Sequence, residues 1–203
     1  MFIYYRDIKV RTSGSNMRKK DDEKRNSIKR AVVEIILEQG MNGASISKIA
    51  KSAGVSPATV YIYYENKDEM LRDIYNEYAE DVFSHLLGNL NSHMSGEQFI
   101  DNLIREYYSY ITHNEEKYHF VEQFDFCPTL KRGCHSLSGP DTLDAMLVEY
   151  IGSGVLNDYN AKNIWGMLFY PVKAIANKPC GMQNSPEDQL DEMIMIIQKA
   201  LLK

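Results

Sequence analysis

Three tyrosines, Tyr61, Tyr63 and Tyr64, fall within four positions, with Ile62 after the first. A phenol hydroxyl can donate to a phosphate oxygen, and an isoleucine can contact a thymine methyl group. On a helix with about 100° between residues, Val60 and Tyr64 share a stripe, Ile62 points the opposite way, and Tyr61 and Tyr63 lie on the flanks. The spacing predicts a helix that packs through Val60 and Tyr64.

Such a helix suits a DNA major groove, which is about 12 Å wide and admits one helix. The alternative is a surface helix whose tyrosines only pack on neighbours. That alternative is favoured for Tyr64, but an exposed Ile62 between two tyrosines is costly without a partner. The predicted DNA-binding residues are Ser45, Ser47, Lys48, Ser56, Ala58, Thr59, Tyr61, Ile62, Tyr63 and Lys67.

The elements that must position these residues are short helices. An apolar pattern at helical spacing runs from Ile28 to Ile36 and stops at Gly40. Ser45 and Ser56 are N-cap candidates for two further helices, which a turn centred on Gly54 separates. Two short helices joined by such a turn after a longer one predict a helix-turn-helix unit.

Residues 45–71 resemble the signature of the tetracycline-repressor (TetR) family of transcriptional regulators, and the resemblance covers about residues 28–71. The matching residues are Ile49-Ala50, Ala53-Gly54-Val55-Ser56, Thr59-Val60-Tyr61, Tyr63-Tyr64, Lys67 and Met70-Leu71. Tyr64 stands where many members have phenylalanine, which supports an inward role. The resemblance implies that Tyr61 and Lys67 contact phosphates, and that Thr59 and Tyr63 lie close to the bases or the backbone.

Charge is unevenly distributed along the chain. Residues 1–67 hold 13 Lys and Arg against 7 Asp and Glu, whereas residues 68–203 hold 10 against 21. The basic excess either binds a polyanion or solvates a tail, since Arg18, Lys19, Lys20, Lys24 and Arg25 are clustered. We expect a disordered extension over 1–20, in which Met17 could equally be the translation start, a DNA-binding domain over 21–67 and an effector-binding and dimerisation domain over 68–203.

The remainder of the chain reads as helices, so the expected fold is all-α. Helical periodicity predicts segments at about 67–90, 95–113, 115–126, 140–151, 159–177 and 186–201, and Ser95 and Gln98 have capping-box spacing. No alternating strand pattern competes with this reading. The helix at 67–90 would connect the DNA-binding domain to the larger domain.

The family resemblance implies a small-molecule pocket and a homodimer interface in the larger domain. The aromatic and apolar stripes indicate six candidate pocket residues, although such stripes more often pack in a core. The candidates are Leu103, Tyr107, Phe120, Phe124, Trp165 and Phe169. Carboxylates at Glu106, Glu122 and Asp125 would suit a lipophilic cation, or would form a solvated acidic face.

The last two predicted helices have broad apolar faces. One carries Ile164, Met167, Leu168 and Ile175, and the other carries Leu190, Met193, Ile194, Ile197 and Leu201. These faces could meet their symmetry mates in a four-helix bundle, or could pack into their own core.

Several classes of protein are excluded by what the sequence lacks. No apolar run approaches the roughly 20 residues of a membrane span, and the first ten residues are too charged for a signal peptide. The three cysteines and five histidines have no spacing typical of disulfides or metal sites. No serine elbow, P-loop or dinucleotide motif is present. We expect a cytoplasmic protein without membrane contact, metal, cofactor or enzymatic activity.

The predicted function is a ligand-responsive repressor that binds double-stranded DNA as a homodimer on a palindromic operator and is released by a small lipophilic effector. One alternative keeps the DNA binding but gives the larger domain a protein partner. A third reading is an enzyme or carrier whose N-terminal unit is only a packing module.

Overall fold

The computed structural model describes residues 13–91, 93–125, 137–177 and 185–203, and its secondary structure there is helical. The described helices are α1 (Ser13–Gly43), α2 (Ile46–Ser52), α3 (Pro57–Tyr63), α4 (Lys67–Leu87), α5 (Gly96–His113), α6 (Glu115–Asp125), α7 (Ser138–Gly152), α8 (Ala161–Ala176) and α9 (Pro186–Leu201). The predicted all-α fold is confirmed. Cys127, Cys134 and Cys180 lie outside the described residues.

The chain divides into two compact units, one that ends at Glu69 and one that begins at Met70. In the first unit, α2 packs against both α1 and α3. In the second unit, α5, α8 and α9 pack on one another, and α6 packs on α5. Over the described part of the chain, no helix is both long and apolar enough to cross a membrane.

Helix α1 begins earlier than the sequence pattern predicted. The sequence predicts a disordered extension over residues 1–20, where no helical periodicity is present, but residues 13–20 are helical. Every residue from Arg18 to Arg25 is charged, and all of them except the aspartates favour helix. The stretch also places opposite charges four residues apart, as in Lys19 and Glu23. Helix formation there does not need a buried face. The rest of the expected extension, residues 1–12, lies outside the described residues.

The helix-turn-helix unit is defined by its caps and glycines. Regular helical geometry in α1 breaks at Gly40, whose φ is 69°. The Ser45 hydroxyl accepts a hydrogen bond from the Lys48 amide (3.3 Å), and so caps α2 as predicted. After α2 the Val55 amide donates to the Ala50 carbonyl (2.9 Å) around Gly54, whose φ is 68°. A left-handed residue with this bond is a common helix ending and turns the chain sharply into α3.

The apolar faces of α8 and α9 pack into their own unit. Ile164, Leu168, Ile175, Leu190, Ile194, Ile197 and Leu201 are all buried in one cluster, and Met167 and Met193 pack against it. The prediction that these residues form a dimer bundle is therefore wrong for this face, and the alternative of an internal core holds. The faces left exposed carry other apolar residues, Tyr170 on α8 and Met195 and Ile196 on α9.

Candidate nucleic-acid interface and helical cavity

Helix α3 has one buried side and one exposed side. Val60 is 0% exposed and Tyr64 is 4% exposed, whereas Ile62 is 76% exposed and Tyr61 is 56% exposed. The predicted packing stripe of Val60 and Tyr64 is confirmed, and so is the outward position of Ile62. A seven-residue helix therefore presents an apolar tip with a phenol beside it.

The first turn of α3 is held by its own side chains. The Ser56 hydroxyl accepts a hydrogen bond from the Thr59 amide (3.1 Å), and Pro57 occupies a first-turn position where no amide is needed. The hydroxyl groups of Ser56 and Thr59 lie 2.9 Å apart and share a hydrogen bond. Ala58 is exposed beside them, and Ser47 is exposed at the start of α2. These contacts pre-order the end of α3 that carries the predicted base-contacting residues.

The two predicted basic contacts, Lys48 and Lys67, donate to oxygens of the same turn. The Lys67 ammonium lies 3.1 Å from the Ala44 carbonyl and 3.3 Å from the Met41 carbonyl. The Lys48 ammonium donates to the Gln39 side chain and to the Gly43 carbonyl. Both lysines therefore neutralise carbonyl groups left without helical partners at the end of α1. Their contact with phosphates stays a prediction.

Tyr63 has a partner that the sequence did not indicate. Its hydroxyl donates to the Asp21 carboxylate at 2.5 Å, across a separation of 42 residues. This hydrogen bond, with burial of the ring, raises the pKa of Tyr63 to about 12. The last turn of α3 is thus joined to the first turns of α1. No local pattern indicates such a contact, because Asp21 lies in a charged stretch without an apolar stripe.

The second unit contains a cavity of about 770 Å³. Of the six residues nominated for a pocket, Tyr107, Trp165 and Phe169 line it. Leu103, Phe120 and Phe124 do not line it and are 0–1% exposed in the core. An aromatic pair at i and i+4 has the same spacing in a core as in a cavity wall, so periodicity alone could not separate them.

The buried pair packs against two tyrosines of α4. Phe124 stacks on Tyr75 with ring centroids 4.6 Å apart, and Tyr75 lines the cavity. Phe120 packs edge-on against Tyr78 at 5.6 Å. Phe124 therefore lies behind the lining residue Tyr75, and Phe120 packs beside Phe124 with ring centroids 5.3 Å apart.

One face of α8 supplies much of the cavity wall, including residues that the pocket nomination missed. Its lining residues are Ala161, Lys162, Trp165, Gly166, Phe169, Tyr170 and Lys173. Most of these recur at intervals of three and four, as one helix face requires. The same periodicity could have identified Lys162, Tyr170 and Lys173 once Trp165 and Phe169 had been chosen. Trp165 and Phe169 stack with centroids 4.9 Å apart and ring planes 23° apart.

The cavity wall carries both signs of charge. Glu122 forms an ion pair with Lys173 at 3.4 Å, and the Lys173 ammonium lies 5.8 Å from the ring centroids of Tyr118 and Tyr170. Asp144 accepts a hydrogen bond from the Trp165 indole at 2.6 Å. Lys162 completes the set of ionised groups among the described lining residues. Two carboxylates and two ammonium groups leave this wall without a net charge.

The carboxylates nominated for a lipophilic cation are dispersed. Only Glu122 lines the cavity, and Lys173 already pairs with it. Glu106 instead faces His85 at 3.0 Å and accepts from the Asn89 amide at 2.8 Å. The side chain of Asp125 lies outside the described residues. The described structure does not form the acidic cluster that such a cation would need.

Comparison with known proteins adds to this geometry. The family model of bacterial regulatory proteins of the tetR family matches residues 28–74. The fatty acid metabolism regulator protein of Bacillus subtilis is 29% identical over 79 residues, which are 39% of this chain and 41% of that protein. The uncharacterized HTH-type transcriptional regulator YvdT of the same organism is 33% identical over 82 residues, 40% of each chain. The matches thus span about two fifths of these relatives' length.

Solved structures match nearly the whole chain. A TetR family transcription regulator from Marinobacter aquaeolei superposes with a TM-score of 0.76 at 21% identity, over 92% of this chain and 100% of that one. A TetR-family regulator from Haemophilus influenzae gives 0.73 at 18% identity, with the same coverage. At these identities the likeness shows a common fold for both units.

Proposed function

Because residues 28–74 belong to the tetracycline-repressor family of bacterial regulatory proteins, we propose that this chain is a DNA-binding transcriptional repressor released by a small lipophilic effector. The observation that carries the proposal is the tip of α3, where Ile62 is 76% exposed on a helix held at its start by Ser56. An apolar side chain exposed to that degree beside an exposed tyrosine is typical of a contact surface.

In the DNA complex, α3 enters the major groove. Ile62 and Ala58 contact thymine methyl groups, Thr59 contacts a base edge, and Tyr61 donates to a phosphate. Exposed amides at the start of α2 bind the backbone near Ser47. One short helix reads few bases, so two copies related by a two-fold axis read a palindrome with half-sites about 34 Å apart.

The homodimer forms through the outer face of α9. The inner face of this helix is used by the core of the unit, but Met195 is 54% exposed and Ile196 is 50% exposed. Covering such side chains removes apolar area from water and favours association. A variant with Met195→Lys and Ile196→Lys should sediment as a monomer.

The effector occupies the cavity and is an uncharged, flat aromatic compound. The stacked pair of Trp165 and Phe169 offers ring faces, to which a second ring system adds by offset stacking. The balanced wall charges give a singly charged ligand no net attraction, and the Lys173–Glu122 pair can hydrogen-bond to a polar substituent. The cavity of about 770 Å³ is within the size range of sites for drug-sized ligands.

Helix α4 contributes residues both to the DNA-binding unit and to the effector cavity. Its first residue, Lys67, donates to carbonyls of the first unit, and its later residues Tyr75, Ala79, Val82 and Phe83 line the cavity. An effector that prefers one arrangement of α4 changes DNA affinity by a coupling free energy of roughly 1–3 kcal/mol.

DNA binding is tested by selection from a random-sequence duplex library with the purified wild-type chain. We expect enrichment of an inverted repeat, and we expect Tyr61→Phe to lower the affinity for the selected duplex. The absence of any enriched sequence would contradict the proposed repressor function.

The effector class is tested with three naphthalene probes that differ in charge: 2-naphthol, 2-naphthoate and 2-naphthylmethylammonium. We expect 2-naphthol to raise the thermal midpoint most, since binding to the folded state stabilises it. Phe169→Leu keeps an apolar wall but removes a stacking ring, and should reduce that shift. Equal shifts for wild type and Phe169→Leu, or a larger shift for either ion, would contradict the assignment. A chain that no probe stabilises would favour the protein-partner alternative.

A further inference from the structure

The first turns of α1 carry a concentration of positive charge beside the predicted reading helix. We infer that this segment is a second DNA-binding surface, which contacts backbone phosphates through Lys20 and Lys24 and is held in place by Tyr63. The inference rests on the proposed DNA-binding function and extends it to a segment outside the helix-turn-helix unit.

The position of the segment is set by one hydrogen bond. The Tyr63 hydroxyl donates to the Asp21 carboxylate at 2.5 Å and lies 3.5 Å from the Asp21 carbonyl. Tyr63 belongs to the last turn of α3 and Asp21 to the first turns of α1. The bond therefore brings the charged start of α1 to the flank of the helix whose tip is Ile62. Tyr63 acts here as a positioning residue.

The charge of the segment is strongly positive. Residues 18–30 contain seven Lys and Arg against three Asp and Glu, in a chain with a net charge of −5. Lys24 and Arg25 follow Asp21 by three and four residues, so they share its side of the helix. Lys20 and Lys24 are exposed. The face of α1 that meets α3 is thus flanked by cations.

The two lysines predicted to contact phosphates, Lys48 and Lys67, already have partners within the first unit. Lys48 and Lys67 donate to oxygens at the end of α1, so part of their hydrogen-bonding capacity is used within the protein. Phosphates are neutralised by exposed Lys and Arg side chains. Lys20 and Lys24 are exposed, and they lie on the segment that the Asp21–Tyr63 hydrogen bond joins to α3. Because the segment is helical, less conformational entropy is lost on binding than a disordered tail would lose.

The first test measures the salt dependence of binding to the duplex selected by the wild-type chain and to a random-sequence duplex of equal length. A variant with Lys20→Gln and Lys24→Gln should show a plot of log affinity against log salt that is less steep by up to about 1.8, since each phosphate contact contributes about 0.9. The control carries Arg105→Gln and Lys203→Gln, exposed positions in the second unit that remove the same charge. Its slope should equal that of wild type.

The outcomes separate this inference from the proposed function. If wild type binds neither duplex, the proposed function fails. If wild type binds but the Lys20 and Lys24 variant retains the wild-type slope, the second surface is overturned and the reading helix is unaffected. If the control loses as much slope as the test variant, the effect is one of net charge and the assignment to α1 is overturned.

The second test isolates the hydrogen bond from the charge of Asp21. Asp21→Asn and Asp21→Ala both remove the carboxylate, but only asparagine keeps an oxygen that can accept from Tyr63. Asp21→Ala should bind the selected duplex about 3- to 10-fold more weakly than Asp21→Asn, the range of one net hydrogen bond. In a Tyr63→Phe background the two should bind alike. Equal affinities with Tyr63 present would overturn the positioning role.

Discussion

Helices α3 and α8 both carry closely spaced aromatic residues, but they turn them to opposite environments. In α3, Tyr61 and Ile62 are exposed on a helix of seven residues. In α8, Trp165 and Phe169 stack on each other along a cavity of about 770 Å³. The first set is exposed to solvent, and the second set borders a space inside its unit.

The difference shows which kind of site a local pattern can reveal. An exposed apolar tip on a short capped helix depends on residues within one or two turns, so its geometry follows from nearby sequence. A cavity wall depends on which neighbours fail to fill a space, and those neighbours lie on several helices. The following predictions test this comparison, from the largest expected effect to the smallest.

The largest predicted effect is a loss of stability that distinguishes a phenylalanine in the core from one in the cavity wall. Phe120→Ala should lower the free energy of unfolding by about 3–5 kcal/mol, because the ring is 0% exposed and its removal leaves a void. Phe169→Ala should cost about 2 kcal/mol, because this ring already borders open space. Denaturant unfolding of both variants measures the difference. Equal losses would mean that the cavity is filled or collapsed in solution.

Ile62→Ala should affect binding without affecting stability. The side chain is 76% exposed, so the free energy of unfolding should change by less than about 0.5 kcal/mol, while the affinity for the selected duplex should fall about tenfold or more. Val148→Ala is the matched control, since Val148 is 69% exposed in the second unit. It should change neither quantity. A loss of affinity in both variants would refute a specific role for the tip of α3.

The N-cap serines of α3 and α5 can be compared directly, because the loss of either cap should reduce the free energy of unfolding by a similar amount. The Ser56 hydroxyl accepts from the Thr59 amide at 3.1 Å, and the Ser95 hydroxyl accepts from the Gln98 amide at 3.3 Å. Replacing either by alanine should cost about 1 kcal/mol of stability, measured by denaturant unfolding. Only Ser56→Ala should also weaken DNA binding, because only α3 is the proposed reading helix. Retention of full affinity by Ser56→Ala would show that the cap does not support the interface.

The smallest predicted effect is a pH dependence of the free energy of unfolding that arises from Asp81 in the second unit. The Lys117 ammonium at 2.6 Å and the Tyr110 hydroxyl at 3.0 Å lower the pKa of Asp81 from its usual range. A lowered folded pKa means that the stabilisation is present above the unfolded value of about 3.9 and is lost as the pH falls through the folded value. Asp81→Asn should therefore be less stable than wild type near pH 7, and the difference should shrink in acid. A constant difference from pH 7 to 3 would exclude this linkage.

Most helix boundaries were predictable because their determinants are adjacent in sequence. Ser45, Ser56 and Ser95 each cap the helix that follows, and the cap of α5 is the reciprocal capping box with Gln98. The error at the start of α1 has a different origin. Residues 13–20 have no apolar stripe from which a helix could be predicted. Helix α1 nevertheless begins at Ser13, because the run of charged, helix-favouring residues that follows can form a helix without a buried face.

The site was predictable only where burial follows from one helix. The separation of Val60 and Tyr64 from Ile62 required no knowledge of other elements. The burial of Phe120 and Phe124 away from the cavity depended on Tyr75 and Tyr78 of α4, and the partner of Tyr63 lies 42 residues away. The apolar faces of α8 and α9 similarly indicated burial but not whether the chain or a second copy provides it.

The sequence by itself determined the all-α class, the helix-turn-helix unit and the outward side of α3, because helix caps, left-handed glycines and side-chain periodicity act over a few residues. Tertiary structure decided which aromatics line the cavity, where Lys67 donates its hydrogen bonds, and that Asp21 meets Tyr63. Those outcomes depend on packing between segments far apart in the chain, where a core residue and a cavity residue share one spacing and differ only in what lies opposite them.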